Sequence, residues 1–287
     1  MARYYNEKYF LTADGAKINY VDVGQDKPQT IVMMHGWMSY GKMFAGLGGK
    51  LIKTHRVIWM DHRGHGKTIS DGPYTLKQLA ADVKALIEYL ALENITLLGY
   101  SMGAATLFQY VRDYGCLHLK RAVIIDMTPK LLNDDEWRHG LYQGNYRQEN
   151  YQRDLELAQK DWHKFISYVL LQTLFKHTPE ENRNFHSNLL FKLLSKLTTK
   201  DRYIRPYRDF FVELADCDYR KDLSAITVPL GIFYARPGSL YEEGTAMYIQ
   251  ANVPDGWLYP FDNATHATPG WRTKETAEKL LDFEAQG

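Results

Sequence analysis

An α/β protein with a parallel sheet is the fold class this sequence predicts, and three observations predict it. Short, unbroken apolar runs recur along the chain, amphipathic helical patterns separate them, and one long stretch late in the chain carries helical patterns only. A strand buried on both faces needs no polar alternation, so a short continuous apolar run bounded by turns is its signature. Such strands alternating with helices imply crossover connections and a sheet covered on both faces. In sheets of this kind ligands bind beyond the carboxyl ends of the strands.

The elements follow in order. Tyr9 to Thr12 and Lys17 to Val23, separated by Ala13-Asp14-Gly15, read as a hairpin. Thr30 to Met34 is the first buried run, and Arg56 to Met60 the second. Leu76, Leu79, Val83, Leu86, Ile87 and Leu90 recur at helical spacing, with Lys77, Asp82, Lys84 and Glu88 on the opposite face. Ile95 to Leu98, Ala122 to Ile125 and Leu230 to Tyr234 are further runs, and Trp257 to Phe261 is a weaker one. Ala277, Leu280, Leu281 and Glu284 mark a closing helix. Between about Lys130 and Asp218 no buried run occurs. Leu155, Ala158, Trp162, Phe165, Ile166 and Val169 recur at helical spacing there, as do Phe185, Leu189, Leu193, Leu194 and Leu197. Asn133 with Glu136 fits a capping box for the first of these helices. The expected organisation is a sheet domain in two parts, 1–130 and 219–287, around a helical cap at 131–218.

Composition narrows the function classes. The chain has 287 residues, 45% hydrophobic and 24% charged, which excludes a disordered chain, a collagen-like polymer and a small disulfide scaffold. Thirty-five basic against 34 acidic side chains give a net charge of +1, so neither nucleic acid nor an anionic membrane is an expected partner. The longest apolar runs fall far short of the ~20 residues a membrane span needs. Two cysteines, Cys116 and Cys217, stand outside any CxxC, and Met1 to Lys8 has no apolar signal core. A cytoplasmic monomer or homodimer acting on a small molecule is the expectation.

Gly99-Tyr100-Ser101-Met102-Gly103 is a G-x-S-x-G pentapeptide between the run at 95–98 and a helix beginning near Ala104. A serine lifted above a sheet needs a sharp strand-to-helix turn, and glycines on either side let the neighbouring backbones approach. The free N–H groups of the new helix point at this spot, which makes the Met102 amide a candidate oxyanion donor. The second donor should come from the loop after the 30–34 run, His35-Gly36-Trp37-Met38, with the Trp37 amide the candidate and His35 structural. Asp61-His62-Arg63-Gly64-His65-Gly66 reads as a rigid turn beside the site. Its histidines lack a carboxylate–histidine constellation at ligand spacing, so no metal is expected.

With those motifs in that order, and a late histidine before a C-terminal helix, the chain resembles the α/β-hydrolase superfamily from about residue 9 to 284, the cap excepted. The resemblance implies an eight-stranded, mostly parallel sheet with a helical cap after strand 6, a Ser–acid–His triad and no cofactor. His266, between the last run and the last helix, is the candidate general base, although Thr265 precedes it where the family more often has glycine. The acid commonly follows the run at 230–234, but Ala235 to Tyr241 holds no carboxylate before Glu242. Asp126, at the tip of the preceding run, is the candidate instead, because a minority of the superfamily carries its acid there and geometry matters more than strand of origin. Glu242, Glu243 and Asp262 are alternatives, and a local turn cap is the other role open to Asp126.

Trp37 and Tyr100 flank the nucleophile, and the cap carries Trp137, Tyr142, Tyr146, Trp162, Phe165, Tyr168 and Phe175. Trp37, Tyr100, Trp137 and Trp162 are the candidate substrate-binding residues of an apolar, aromatic-walled pocket. The expected activity is therefore a carboxylesterase-like serine hydrolase acting on an ester, lactone or related acyl bond of a small, largely apolar molecule. Two other readings keep the fold. One is a cofactor-independent dioxygenase using a His–Asp dyad on a heteroaromatic substrate, although a histidine typically precedes the serine in that group and Tyr100 does here. The other is a small-molecule receptor. Dehalogenases and epoxide hydrolases need a carboxylate where Ser101 stands.

Overall fold

The computed structural model describes residues 5–174, 200–238, 240–267 and 271–286. Eight strands form one sheet: β1 (Glu7–Leu11), β2 (Lys17–Val23), β3 (Gln29–Met34), β4 (His55–Met60), β5 (Ile95–Tyr100), β6 (Leu119–Ile125), β7 (Leu230–Gly238) and β8 (Gly256–Thr265). Their order is β1-β2-β4-β3-β5-β6-β7-β8. β2 pairs antiparallel with β1 and β4, and the remaining pairs are parallel. The eight-stranded, mostly parallel sheet is the one the superfamily resemblance implies.

The buried runs sort by parity. Val32 and Met34 of β3 enter one apolar cluster, and Ile31 and Met33 enter another on the opposite face. The first cluster is closed by helices α2 (Leu76–Tyr89) and α3 (Met102–Tyr114), through residues such as Leu79, Val83, Leu107 and Phe108. The second is closed by α1 (Ala45–Leu51) and the C-terminal helix (Thr273–Glu284), through Leu47, Leu51, Leu280 and Phe283. The Val, Ile, Leu, Met and Phe side chains of these runs that are fully buried contribute about 1.5–3 kcal/mol each. Arg63, fully buried after β4, donates to both carboxylate oxygens of Asp82 on α2 (2.6 and 2.7 Å) and to Asp14 in the hairpin turn (2.8 Å). The turn after β4 is thereby fastened to two other elements.

Between β6 and β7 the described residues form helices α4 (Gln148–Lys160), α5 (Trp162–Leu174) and α6 (Asp201–Asp216). They share an apolar cluster of Tyr146, Tyr151, Ala158, Trp162, Phe165, Ile166, Tyr207 and Phe211, against which Trp37 and Met38 pack. The single helical pattern predicted from Leu155 to Val169 is broken at Asp161, whose φ of −148° and ψ of 87° leave the helix. After β7 come α7 (Glu243–Asn252) and α8 (Thr273–Glu284). The second predicted helical pattern, Phe185 to Leu197, lies outside the described residues, as does Phe175.

The capping box predicted at Asn133 and Glu136 is not formed. Asn133 is buried in a loop, where its amide donates to the Leu141 and Tyr146 carbonyls and its Oδ1 accepts from the Gly140 N–H. The first helix starts fifteen residues later, with Arg147 as its cap residue and Asn150 accepting from the Arg147 N–H. A polar side chain that satisfies a buried loop has no bond left for a helix end.

Candidate active site

Ser101 lies between β5 and α3 at φ 53° and ψ −120°, a left-handed conformation that non-glycine residues rarely adopt. The turn survives because its surroundings over-determine it. The Ser101 N–H donates to the Ile125 carbonyl at 3.0 Å, and the Ser101 carbonyl accepts from Ala104 and Ala105 at the start of α3. The two flanking glycines are sterically required. A Cβ at Gly99 would stand 2.3 Å from the Gly103 carbonyl oxygen, and one at Gly103 would stand 2.2 Å from the Met34 carbonyl oxygen. The helix can therefore start hard against β3 and β5, with the serine side chain raised over the sheet.

Asp126 follows β6 directly, and β6 is the neighbour of β5, with Tyr100 opposite Ile125. This register sets Asp126 alongside Ser101. Its own φ is 52°, its N–H donates to the Phe233 carbonyl at 2.8 Å, and its Oδ1 accepts from the Ala235 N–H at 3.4 Å. His266 follows β8. Its Nδ1 is 2.6 Å from Asp126 Oδ2, and its Nε2 is 3.0 Å from Ser101 Oγ. With an acceptor on the Nδ1 side, the proton sits on Nδ1 and Nε2 accepts from the serine hydroxyl. Both His266 and Asp126 are 5% exposed.

The other carboxylates weighed from the sequence are engaged elsewhere. Glu242 pairs with His139 at 3.0 Å, and Arg236 joins Glu243 and Asp262 at 3.2 and 2.5 Å. The structure thus brings Ser101, His266 and Asp126 into one hydrogen-bonded chain. Sequence reading did not find the role of Tyr100 beside them. Its buried hydroxyl donates to the His266 carbonyl at 2.9 Å, and its ring lies 5.1 Å from the imidazole. Burial pushes that phenol well above its ordinary pKa, so it remains a donor.

A cavity of about 300 Å³ opens over this chain. Gly36, Trp37, Tyr100, Ser101, Met102 and His266 line its floor, and Tyr142, Tyr146, Leu170, Phe211 and Leu214 line it from the helical side. Among the described residues neither the Trp37 nor the Met102 backbone N–H donates to a protein acceptor. The Trp37 indole N–H donates to the Tyr207 carbonyl of α6 at 3.0 Å, and its ring stacks on Phe211 at 5.9 Å. The wall is mostly apolar, with Met38, Met43 and Met127 adding side chains that adapt to irregular shapes.

Two predicted substrate-binding residues lie elsewhere. Trp137 is buried outside the cavity lining, its indole donating to the Lys130 carbonyl at 2.9 Å and its ring meeting Tyr248 edge-on. Trp162 is also outside the lining and packs inside the helical cluster, 5.5 Å from Phe165. Both corrections have one cause. Helical spacing marks a residue as inward-facing without saying whether the inside is a helix–helix core or a cavity. Among the described residues, no group of three or more His, Cys, Asp or Glu side chains is arranged to hold a metal ion, and no helix is long and apolar enough to cross a membrane.

Comparison with known proteins identifies the family and the fold. The family model for the alpha/beta hydrolase fold matches residues 29–219, about two thirds of the chain. The chain belongs to the α/β-hydrolase family. The AB hydrolase superfamily protein YisY of Bacillus subtilis (strain 168) is 28% identical over 278 residues, covering 95% of this chain and 97% of that one. A non-heme haloperoxidase of Rhodococcus erythropolis is 33% identical over 130 residues, 44% of this chain and 47% of that one. Among solved structures, the esterase EaEST of Exiguobacterium antarcticum superposes with a TM-score of 0.82 at 23% identity, covering 96% of this chain and 98% of that chain. An identity of that order shows a shared fold.

In this α/β hydrolase the two loops beside the serine rest on three buried histidines. His35, His62 and His65 are all fully buried, with the His35 ring 4.6 Å from His62 and 5.0 Å from His65. His35 Nδ1 faces the Gly36 carbonyl at 2.8 Å and its Nε2 accepts from the His62 N–H, so it is neutral with the proton on Nδ1. His65 has the same tautomer, with Nδ1 on the Arg63 carbonyl and Nε2 accepting from the Met38 N–H. Neither ring nitrogen of His62 has a protein partner among the described residues. Burial lowers His35 to about 4 and holds His62 and His65 well below their ordinary range.

The sign of the linkage follows. These groups take up protons in the unfolded chain from about pH 6.5 downward, but in the folded chain His35 does so only near pH 4, and His62 and His65 only well below their ordinary range. Their contribution to stability is complete above pH 6.5 and is lost as pH falls. The expected loss is about 1.4 kcal/mol per pH unit for each imidazole, so up to ~4 kcal/mol per unit for three. Asp61, whose carboxyl burial raises, offsets part of this near pH 4. His62→Leu is expected to reduce the slope by about a third and, by removing two unsatisfied buried nitrogens, to leave stability at pH 7 unchanged or higher. Urea unfolding at pH 7, 6 and 5 checks this, and an unchanged slope would refute the assignment.

Proposed function

We propose that this protein is a serine hydrolase that cleaves an ester, lactone or related acyl bond of a small, largely apolar substrate, by a carboxylesterase-like mechanism. The observation that carries the reading is the Ser101–His266–Asp126 chain, at 3.0 and 2.6 Å, lying under an apolar cavity. His266 Nε2 takes the hydroxyl proton as Ser101 Oγ attacks the carbonyl carbon. Asp126 holds the imidazole in the tautomer that can accept this proton and stabilises the imidazolium that forms. The Trp37 and Met102 N–H groups receive the developing oxyanion. The imidazolium then returns its proton to the leaving oxygen, and a water deprotonated by His266 attacks the acyl-enzyme to release the acid and restore Ser101. Trp37 and Tyr100 contribute to the substrate-binding floor.

The neutral histidines under the two loops support the same reading. They hold Gly36 and Met38 on either side of the Trp37 amide without adding positive charge there. The test is labelling with a fluorophosphonate probe, followed by a panel of short-chain p-nitrophenyl esters. Rapid covalent labelling, with ester turnover that the probe abolishes, is the expected result. A folded protein that neither labels nor hydrolyses any ester of the panel would refute the proposal.

A further inference from the structure

The helical side of the cavity places one carboxylate in an otherwise mostly apolar wall. Asp154, on α4, lines the same cavity as Ser101 and is 2% exposed. It is the one Asp or Glu among the described lining residues, where Val169, Leu170 and Phe211 also stand. A carboxylate in such surroundings is costly unless its oxygens are bonded. Arg153 donates to Oδ1 through Nε and one terminal nitrogen, at 3.1 and 2.9 Å, and the Tyr146 hydroxyl donates to Oδ2 at 3.0 Å. The Arg153 side chain is 60% exposed and reaches Asp154 from the solvent side, whereas Tyr146 is buried and itself lines the cavity. Oδ2 thus has one protein donor among the described residues, and an ionised carboxylate oxygen accepts two.

We propose that Asp154 and Tyr146 form a polar subsite in the cavity wall that selects substrates carrying a hydroxyl remote from the scissile bond. The proposal rests on the hydrolase reading and names the substrate class of that site. A neutral donor fits better than a cation. Arg153 already balances the carboxylate charge, so a ligand ammonium would bring an unbalanced positive charge into an apolar space. A hydroxyl adds a charge-assisted bond and no net charge. An all-apolar substrate would cover Oδ2 without replacing the water bond it loses, which sets the discrimination at about ten- to a hundredfold.

The test uses pairs of p-nitrophenyl esters: ω-hydroxyalkanoates against alkanoates with a methyl in place of the hydroxyl, with acyl chains of increasing length. A second series carries the hydroxyl on an alcohol leaving group. The wild type is expected to prefer the hydroxylated member about ten- to a hundredfold in kcat/KM, at one chain length more than at the others. Asp154→Asn, which keeps shape and offers a weaker acceptor, should cut that ratio several-fold, and Asp154→Leu should reverse it. A wild-type ratio near one in both series, with the plain esters turned over, overturns the subsite and leaves the hydrolase reading standing. No turnover and no fluorophosphonate labelling overturns the hydrolase reading instead. Calorimetric titration with 1,ω-diols against matching 1-alkanols then decides the subsite, and equal affinities would overturn it.

Discussion

Ser101→Ala is expected to lower kcat on short-chain esters by about 10⁴- to 10⁶-fold and to abolish fluorophosphonate labelling, with no loss of folding. The substitution removes one oxygen, the atom 3.0 Å from His266 Nε2. The rest of the turn stays, because it is held by backbone bonds from the Ser101 N–H and carbonyl and by the contacts of Gly99 and Gly103. Alanine tolerates the 53° φ about as poorly as serine, so the strain is unchanged and thermal unfolding should move little. A residual rate above the uncatalysed reaction is expected, since the Trp37 and Met102 amides would still orient and polarise a carbonyl. A variant with near wild-type kcat would remove Ser101 from the chemistry and return weight to the dioxygenase or receptor readings.

Much of the fold was legible because parallel strands buried on both faces leave nearly uninterrupted apolar runs. Ile31 to Met34 and Ala122 to Ile125, for example, send alternate residues into both clusters of the core. The far ends of β7 and β8 were not legible. β8 is an edge strand, so Asp262 and Asn263 face solvent within it, and the β7–β8 register shifts at Arg236 and Pro237. Polar residues, a proline and Asn263 at φ 51° hide strand character from any apolar pattern.

The site divides along the same line. The positions of Ser101 and Asp126 were legible because each follows a buried strand whose apolar run marks its end to within about two residues, and that of His266 because it lies between the last apolar run and the closing helix. The cavity wall was harder, since its residues are selected by how α4, α5 and α6 lean on the sheet. Tyr142 and Tyr146 face the cavity while Trp137, a few residues earlier, is buried against Tyr248 and Lys130. No periodicity separates these three. Asp154 carried no signal at all, being one acidic residue in a helix rich in polar side chains, and only the Tyr146 hydroxyl and the neighbouring apolar wall distinguish it.

Asp126→Asn is expected to lower kcat by about 10³- to 10⁴-fold with little change in stability. Asparagine keeps the shape and accepts the left-handed backbone that Asp126 adopts at φ 52°, so the chain path after β6 is preserved. The chemistry changes through the proton on His266. The 2.6 Å contact between Asp126 Oδ2 and His266 Nδ1 requires the proton on Nδ1. An amide N–H turned toward Nδ1 would instead favour the tautomer with the proton on Nε2, the nitrogen that must accept from Ser101. Loss of the carboxylate also leaves a buried imidazolium without its counter-charge. Glu242→Gln, Glu243→Gln and Asp262→Asn should stay within a few-fold of wild type, because His139 and Arg236 hold those side chains away from His266. The four variants assayed together separate the possibilities, since a large loss in Glu242→Gln with Asp126→Asn near normal would move the acid to β7. The sheet register argues against that outcome: β6 adjoins the nucleophile strand, and the residue after Ile125 is the first side chain past the sheet on that side of Ser101.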